Sequence, residues 1–164
     1  MSQLKVNSII PVSGVPTGGG GGIIQIKQSF KNDSASTNSS SYSNVSSDLD
    51  VTITPTSSSS KILFSGYLYI AGSGAETTFR LKRGSTDIGV SSTLDDNADG
   101  SFCIGGSSLY RMANFAFLDS PATTSATTYS IEWRNHAGTM YLNRTWDSGW
   151  FHGASATTCY EVSA

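Results

Sequence analysis

The chain has 164 residues, with ten Lys plus Arg against twelve Asp plus Glu, so its formal net charge is −2. This length predicts a single domain, and the charge argues against nucleic-acid binding, which normally needs a basic face. Charged residues make up 13% of the chain, about half of the ~25% usual in globular proteins, so Ser and Thr are predicted to cover much of the surface.

No apolar run is long enough to predict a membrane-spanning helix. The first five residues lack the charged and apolar regions of a signal peptide, so we expect synthesis in a cytosol. The two cysteines, Cys103 and Cys159, are too few for a disulfide framework, and both are predicted to be buried free thiols.

Residues 1–22 differ in composition from the rest of the chain. Five consecutive glycines, Gly18 to Gly22, predict a flexible joint, and they are not a phosphate loop because no Gly-Lys-Ser/Thr follows. We therefore predict an arm (1–22) that docks on a neighbouring subunit or partner and a body (23–164). A disordered tail and a first strand of the body are the alternatives. The predicted attachment residues are Leu4, Val6, Ile9, Ile10 and Pro11.

Alternating apolar residues predict strands along the whole body, and no window has helical spacing. The run at 110–118 favours a buried strand, whereas 31–48 is a long polar stretch. A tight turn is predicted at 84–86 and a hairpin turn at 135–138. The remaining predicted strands lie near 24–29, 50–54, 61–70, 79–83, 87–90, 129–134, 139–143 and 156–162.

One pattern occurs twice: Pro55 and Pro121 are each followed by a Ser/Thr tract and then a strand-like run. Proline ends one strand, and the polar tract then crosses to the next. Such long crossings, with about eight strands, predict an antiparallel β-sandwich or jelly-roll-like fold. The run 61–70 also has a partly apolar second face, which we expect a partner to cover.

The chain resembles small virion proteins of tailed, particularly marine, bacteriophages, of the fibre, knob or decoration type. The segments that carry the resemblance are 4–11 (LKVNSIIP), 22–25 (GIIQ), 53–63 (ITPTSSSSKIL), 80–85 (RLKRGS), 117–124 (FLDSPATT) and 138–144 (GTMYLNR). The resemblance implies a β-sandwich, a homotrimer, and attachment to the phage particle through the N-terminal segment, with distal loops that meet the host. The chain has no heptads and no collagen-like repeat, which favours a compact knob or a decoration protein over a long fibre.

Aromatic residues cluster near the C-terminus beside residues that hydrogen-bond well. Exposed rings stack on the C–H face of a sugar, and neighbouring polar groups bind its hydroxyls. This pattern predicts a glycan-binding site, and the alternative is that the rings fill the core or a subunit interface. The candidate residues are Tyr141, Trp146, Asp147, Trp150, Phe151 and His152.

Asp95, Asn97 and Asp99, followed by Gly100, match the first half of a calcium loop. The twelfth position is Gly106 rather than a bidentate glutamate, which argues against an EF-hand. A calcium site in a β context and a solvated turn are the two interpretations. No other cofactor is predicted.

Catalysis has little support in the sequence. Ser148 lacks the G-x-S-x-G environment of a hydrolase nucleophile, and nothing indicates the pair of carboxylates that glycoside cleavage requires. We therefore expect a non-enzymatic protein of the virion, either a tail knob or short fibre that contacts host glycan, or a capsid decoration or head-fibre protein. A polysaccharide-degrading enzyme is the third possibility.

Overall fold

The computed structural model describes residues 22–91, 100–106, 109–147 and 150–163. In these ranges the fold is all-β, as predicted, with ten strands and one 3₁₀ turn at Ser47–Leu49. No helix among the described residues has the length and hydropathy to cross a bilayer. The strands are β1 (Ile23–Lys31), β2 (Ala35–Thr37), β3 (Ser43–Asn44), β4 (Val51–Ile53), β5 (Lys61–Arg83), β6 (Thr86–Ile88), β7 (Phe102–Gly106), β8 (Leu109–Asp119), β9 (Thr127–Leu142) and β10 (Ser155–Val162).

Strand β5 belongs to both layers of the fold. Its first half pairs with β10 and β8, and β10 pairs in turn with β1, which makes the first sheet. Its second half pairs with β9, β7 and β6, and β9 also pairs with β2, β3 and β4, which makes the second sheet. All these pairs are antiparallel, and the sandwich-like fold predicted from the sequence is confirmed.

The sequence predicted two separate strands, 61–70 and 79–83, where the structure has one strand of 23 residues. Residues 71–78 lack apolar alternation, so the pattern hides their strand conformation. Gly74 has a φ of +60°, and the register against β9 shifts between Ser73 and Thr77. This irregularity lets the strand pass from one sheet to the other without a loop.

The predicted hairpin turn at 135–138 is wrong, because β9 continues through these residues for a total of 16 residues. The buried side chain of Asn135 donates to the carbonyls of Ala137 and Gly138, at 2.7 Å in each case, and accepts from Thr77 at 2.6 Å. Since β5 pairs with β9 on both sides of this point, the segment forms an irregularity within the ladder.

Other predictions meet mixed outcomes. Cys159 is buried as predicted, and burial raises the pKa of its thiol to about 12. Cys103 is exposed, so the prediction that it is buried is wrong. It faces outward on the short strand β7, which pairs only with β5 among the described strands.

The run 110–118 is a strand, but only one of its faces is buried. The turn before β6 is confirmed as the two-residue loop Gly84-Ser85.

Both proline-marked tracts cross between the two sheets, as the repeated pattern predicted. Residues 54–60 lead from β4 in the second sheet to the first half of β5, and residues 120–126 lead from β8 to β9. The first crossing is fastened by Glu161, which accepts from the backbone N–H and the hydroxyl of Thr56, both at 2.7 Å. Asp119 fastens the second, because it accepts from Arg83 at 2.9 Å and from the Tyr129 hydroxyl at 2.7 Å.

Large side chains fill the space between the sheets. The ring of Phe64 lies 5.1 Å from Phe115 and 5.4 Å from Tyr129, which stands on the opposite sheet. Full burial of one such side chain stabilises a fold by about 1.5–3 kcal/mol. The fully buried large side chains on β5 and β9 are Ile62, Phe64, Leu68, Ile70, Phe79, Tyr129, Ile131, Met140 and Leu142.

The two sheets differ in their outward faces. On the second sheet, Arg80 pairs with Asp87 at 3.3 Å and stacks on the Tyr42 ring at 3.8 Å. We call the outward positions of the first sheet the outer face, leaving out the two end rows, which are Ile23, Val162 and Lys61 at one end and Ala71 and Tyr110 at the other. Its members are Ile26, Gln28 and Phe30 on β1, Ala156, Thr158 and Tyr160 on β10, Leu63, Ser65, Tyr67 and Tyr69 on β5, and Met112, Asn114, Ala116 and Leu118 on β8.

Candidate functional site

The predicted glycan-binding residues lie at one end of the molecule. Most belong to the connection between β9 and β10, residues 143–154, which we call the aromatic loop and which is described except at 148–149. The loop ends next to Ser155, where β10 begins. Strand β10 is eight residues long and finishes at Val162, opposite Ile23, so the loop and the first residue of β1 are separated by roughly 26 Å at ~3.3 Å per residue.

The base of the aromatic loop is fixed by Asn143, which is fully buried. Its side-chain amide donates to the carbonyls of Lys31 and Asp33, both at 3.0 Å, and its Oδ1 accepts from Ser155 Oγ at 2.6 Å. Its backbone N–H donates to the Tyr69 carbonyl at 2.8 Å. Its φ of +58° is a left-handed conformation that Asn tolerates better than most residues. These bonds hold the loop to the first sheet at a defined angle.

Beyond Asn143, the two sides of the aromatic loop pair with each other. Arg144 and His152 form an antiparallel bridge, and the Thr145 N–H donates to the Phe151 carbonyl at 3.1 Å. The Arg144 guanidinium lies 4.7 Å from the centre of the Tyr141 ring, which is a cation–π distance. The backbone beneath the exposed rings is therefore ordered by its own hydrogen bonds.

The loop packs against the middle of β5. A Cβ atom on Gly153 would lie 2.4 Å from Cγ of Tyr69, so only glycine allows this approach. Tyr110 on β8 and Tyr141 on β9 both stand opposite Ala71 of β5, which is fully buried. Three tyrosines thus lie next to the loop at the point where the two sheets meet.

Trp150 and Phe151 are the most exposed large apolar side chains in the described residues, at 82% and 72% exposure. Burial would have contributed about 1.5–3 kcal/mol for each ring. Their exposure beside a hydrogen-bonded stretch of described backbone marks them as candidates for contact with a ligand or partner. His152, beside them, is also exposed.

Trp146 and Asp147 come before the exposed rings in the sequence of the loop. Trp146 is half-buried, and its indole Nε1 is buried with no hydrogen-bond acceptor among the described residues. Asp147 is exposed and accepts a hydrogen bond from Tyr110; desolvation and this bond raise the pKa of the Tyr110 phenol. The carboxylate therefore connects the loop to β8 and stands near the aromatic residues, where a sugar hydroxyl can donate to it.

The structure brings the six predicted glycan-binding residues together but with different exposures. Tyr141 is half-buried under Arg144, and Trp146 is half-buried, whereas Asp147, Trp150, Phe151 and His152 are exposed. Sequence reasoning missed Tyr69 and Tyr110, which complete the cluster. Tyr110 and Met112 are two residues apart on β8, so their side chains point to the same face. This spacing is the signal that could have identified Tyr110 from the sequence.

Two other predicted sites lie outside the described residues. These are the attachment residues Leu4, Val6, Ile9, Ile10 and Pro11, and the calcium residues Asp95, Asn97 and Asp99. Within the described ranges, no three His, Cys, Asp or Glu side chains are grouped as metal ligands. Gly22, assigned to the arm, exchanges hydrogen bonds with Ser163 at 2.9 and 3.0 Å.

A concavity of about 310 Å³ lies where β5, β7 and β9 meet. The Thr78 hydroxyl there is 3.2 Å from Nε2 of His136. The cavity is lined by Glu76, Thr77, Thr78, Cys103, Ile104, Gly105 and His136. Its described lining contributes one carboxylate, whereas glycoside cleavage uses two.

No protein-family model matches the chain, and the curated proteins compared with it give no match either.

Proposed function

We propose that the chain is a non-enzymatic structural protein of a tailed-phage virion, held to the particle by residues 1–22 and presenting the aromatic loop to a host-surface glycan. The observation that carries the glycan-binding part is the exposure of Trp150 and Phe151, at 82% and 72%. The virion part rests on the sequence resemblance, which also implies a homotrimer made in the host cytoplasm.

The chemistry of the loop fits a carbohydrate ligand. Trp150 and Phe151 offer large apolar faces, and rings with two rotatable bonds lose little conformational entropy when they bind. Asp147 and His152 supply polar groups beside them. Because Asn143 and the loop's own hydrogen bonds hold the backbone in place, little of the binding energy is spent on ordering it.

The placement of the predicted arm and the aromatic loop at opposite ends of β10 supports the same proposal. The predicted arm leaves the body at Gly22, which is bonded to Ser163, and the aromatic loop joins the other end of β10. A body attached through its arm would therefore turn the loop away from the attachment point. A host-contacting knob needs this arrangement.

The proposal is tested by binding of the full chain to immobilised bacterial surface glycans, both lipopolysaccharide and capsular oligosaccharides. Trp150→Ala with Phe151→Ala is expected to weaken binding at least ~10-fold, since each stacked ring contributes on the order of 1 kcal/mol. Val90→Ala, an exposed apolar position outside the loop and the outer face, is the control and is expected to bind like the wild type. Unchanged binding by the double variant would overturn the glycan-binding role.

A capsid decoration or head-fibre protein is the second candidate. The half-buried Trp146 favours it, because we expect this role to leave the aromatic residues packed rather than exposed. The two candidates differ in where the chain lies on the particle.

A further inference from the structure

The outer face is largely apolar and aromatic, and several of its large side chains are exposed to solvent. Ile26 and Phe30 are each 55% exposed, Met112 is 57% exposed and Leu118 is 50% exposed. Of the exposed large apolar residues in the described chain, Val90 alone is outside β1, β8 and the aromatic loop. The exposed apolar surface is thus concentrated on one side of the molecule, and such patches mark interaction sites.

The two outward sides of the sandwich differ in their content of charged side chains. The outer face has no charged side chain, and the one charged outward position of the first sheet in the described chain, the exposed Lys61, lies at its edge. The outward side of the second sheet instead has Arg80, Lys82, Asp87 and Glu132 in ion pairs. A charged surface of this kind remains in water at low cost, whereas depletion of charge with enrichment of Tyr, Phe and Met is typical of the buried centre of an interface.

The size of the outer face is sufficient for a specific interface. Four strands at ~4.8 Å spacing and about eight residues at ~3.3 Å give a plane of roughly 19 by 26 Å, or about 500 Å². A specific interface buries at least about 1,000 Å² in total, or roughly 500 Å² on each partner. One flat face of this chain against another of the same kind reaches that minimum.

An identical copy suits this face better than a charged partner does. Two uncharged faces meet without like-charge repulsion, whereas a charged partner would lose its hydration and find no counter-charge here. The exposed side chains that project from the face, Phe30, Met112 and Leu118, alternate with the smaller Ser65, Ala116 and Thr158. Such relief lets two sheet faces interdigitate.

We infer that the outer face packs against the outer face of a second copy of this chain, which gives a two-fold pair and not the homotrimer that the resemblance implies. The inference goes beyond the proposed function, because it assigns a self-association surface and does not depend on the ligand of the aromatic loop.

The test is sedimentation velocity of the full-length chain over a concentration series from ~1 to ~100 µM. The wild type is expected to sediment as a dimer. Met112→Glu with Leu118→Glu is expected to weaken association at least ~100-fold, because each carboxylate would be buried without a partner. Both positions are half-exposed or more, so the monomer should fold, as far-UV circular dichroism will check. Val90→Glu is the matched control, and it should assemble like the wild type.

Three results would overturn the inference: a wild type that is monomeric or trimeric at the highest concentration, a double variant that assembles normally, or assembly that is lost only when Ile9→Glu is introduced in the arm. Trp150→Ala with Phe151→Ala should leave the oligomer intact, and its dissociation would move the interface to the loop. Glycan binding is measured separately. A monomer that binds glycan therefore contradicts only this inference, and an oligomer that binds none contradicts only the proposed function.

Discussion

Single polar residues determine how the two ends of the body are held. Asn143 fixes the aromatic loop at one end, and Glu161 fixes the crossing between the sheets at the other. Neither role is visible in the sequence, because their partners lie far away along the chain, up to 112 residues for Asn143 and 136 for Glu161. Hydrophobic patterns in a sequence indicate which residues are buried and whether a segment is a helix or a strand. They do not indicate which distant residues form hydrogen bonds.

Glu161 should make the stability of the protein sensitive to acid. Burial would raise the pKa of this carboxyl, but hydrogen bonds from Gln25 and Thr56 hold it below its ordinary value. A lowered pKa in the folded state stabilises the fold above the unfolded-state pKa of ~4.3, and this contribution is lost as the pH falls through the folded-state pKa. Urea unfolding of the wild type should therefore show stability falling below about pH 5.

The variant that tests this role is Glu161→Gln. It is expected to be less stable than the wild type at pH 7 and to lose less stability between about pH 5 and pH 3, because its side chain does not titrate. The exposed Glu76 provides the control, Glu76→Gln. Equal acid sensitivity of Glu161→Gln and the wild type would show that Glu161 does not contribute in this way.

At the level of elements, the sequence predicted where strands occur, but it did not predict that β5 and β9 each continue as one long strand. Apolar alternation identified strands throughout the body, and the prolines at 55 and 121 marked the two crossings between sheets. The alternation stops at residues 71–78 and 135–138, where β5 and β9 continue nonetheless. Hydrogen bonds between the two long strands maintain them there, and no single segment contains that information.

The aromatic loop depends on a close approach between Gly153 and Tyr69. In Gly153→Ala the new methyl group would lie 2.4 Å from Cγ of Tyr69, so the loop must shift. We expect a loss of ~1–3 kcal/mol in unfolding free energy and weaker glycan binding.

Gly105→Ala is the matched control for this change. Its added methyl group meets only Cγ of Glu76 at 3.6 Å, an ordinary contact. Chemical denaturation and glycan titration of both variants measure the difference. If Gly153→Ala bound glycan as tightly as Gly105→Ala, the shape of the loop would not matter for binding.

At the level of the whole molecule, the chain combines three surfaces with different chemistry. One end continues into the predicted arm, the other carries Trp150 and Phe151, and the outer face between them has no charged side chain. Composition indicated an uncharged surface, and the second apolar side of 61–70 indicated a covered face. The sequence did not reveal that β1, β8 and β10 extend that face, because only the pairing of distant strands brings them together.

The most direct test of the account is the position and orientation of this chain on intact phage particles, imaged by electron cryo-microscopy with and without it. We predict that its absence removes density at the tail, and that Trp150 and Phe151 lie on the side away from the particle. Loss of density on the head, with the aromatic loop against the capsid, would contradict the host-contact role and would favour a decoration protein.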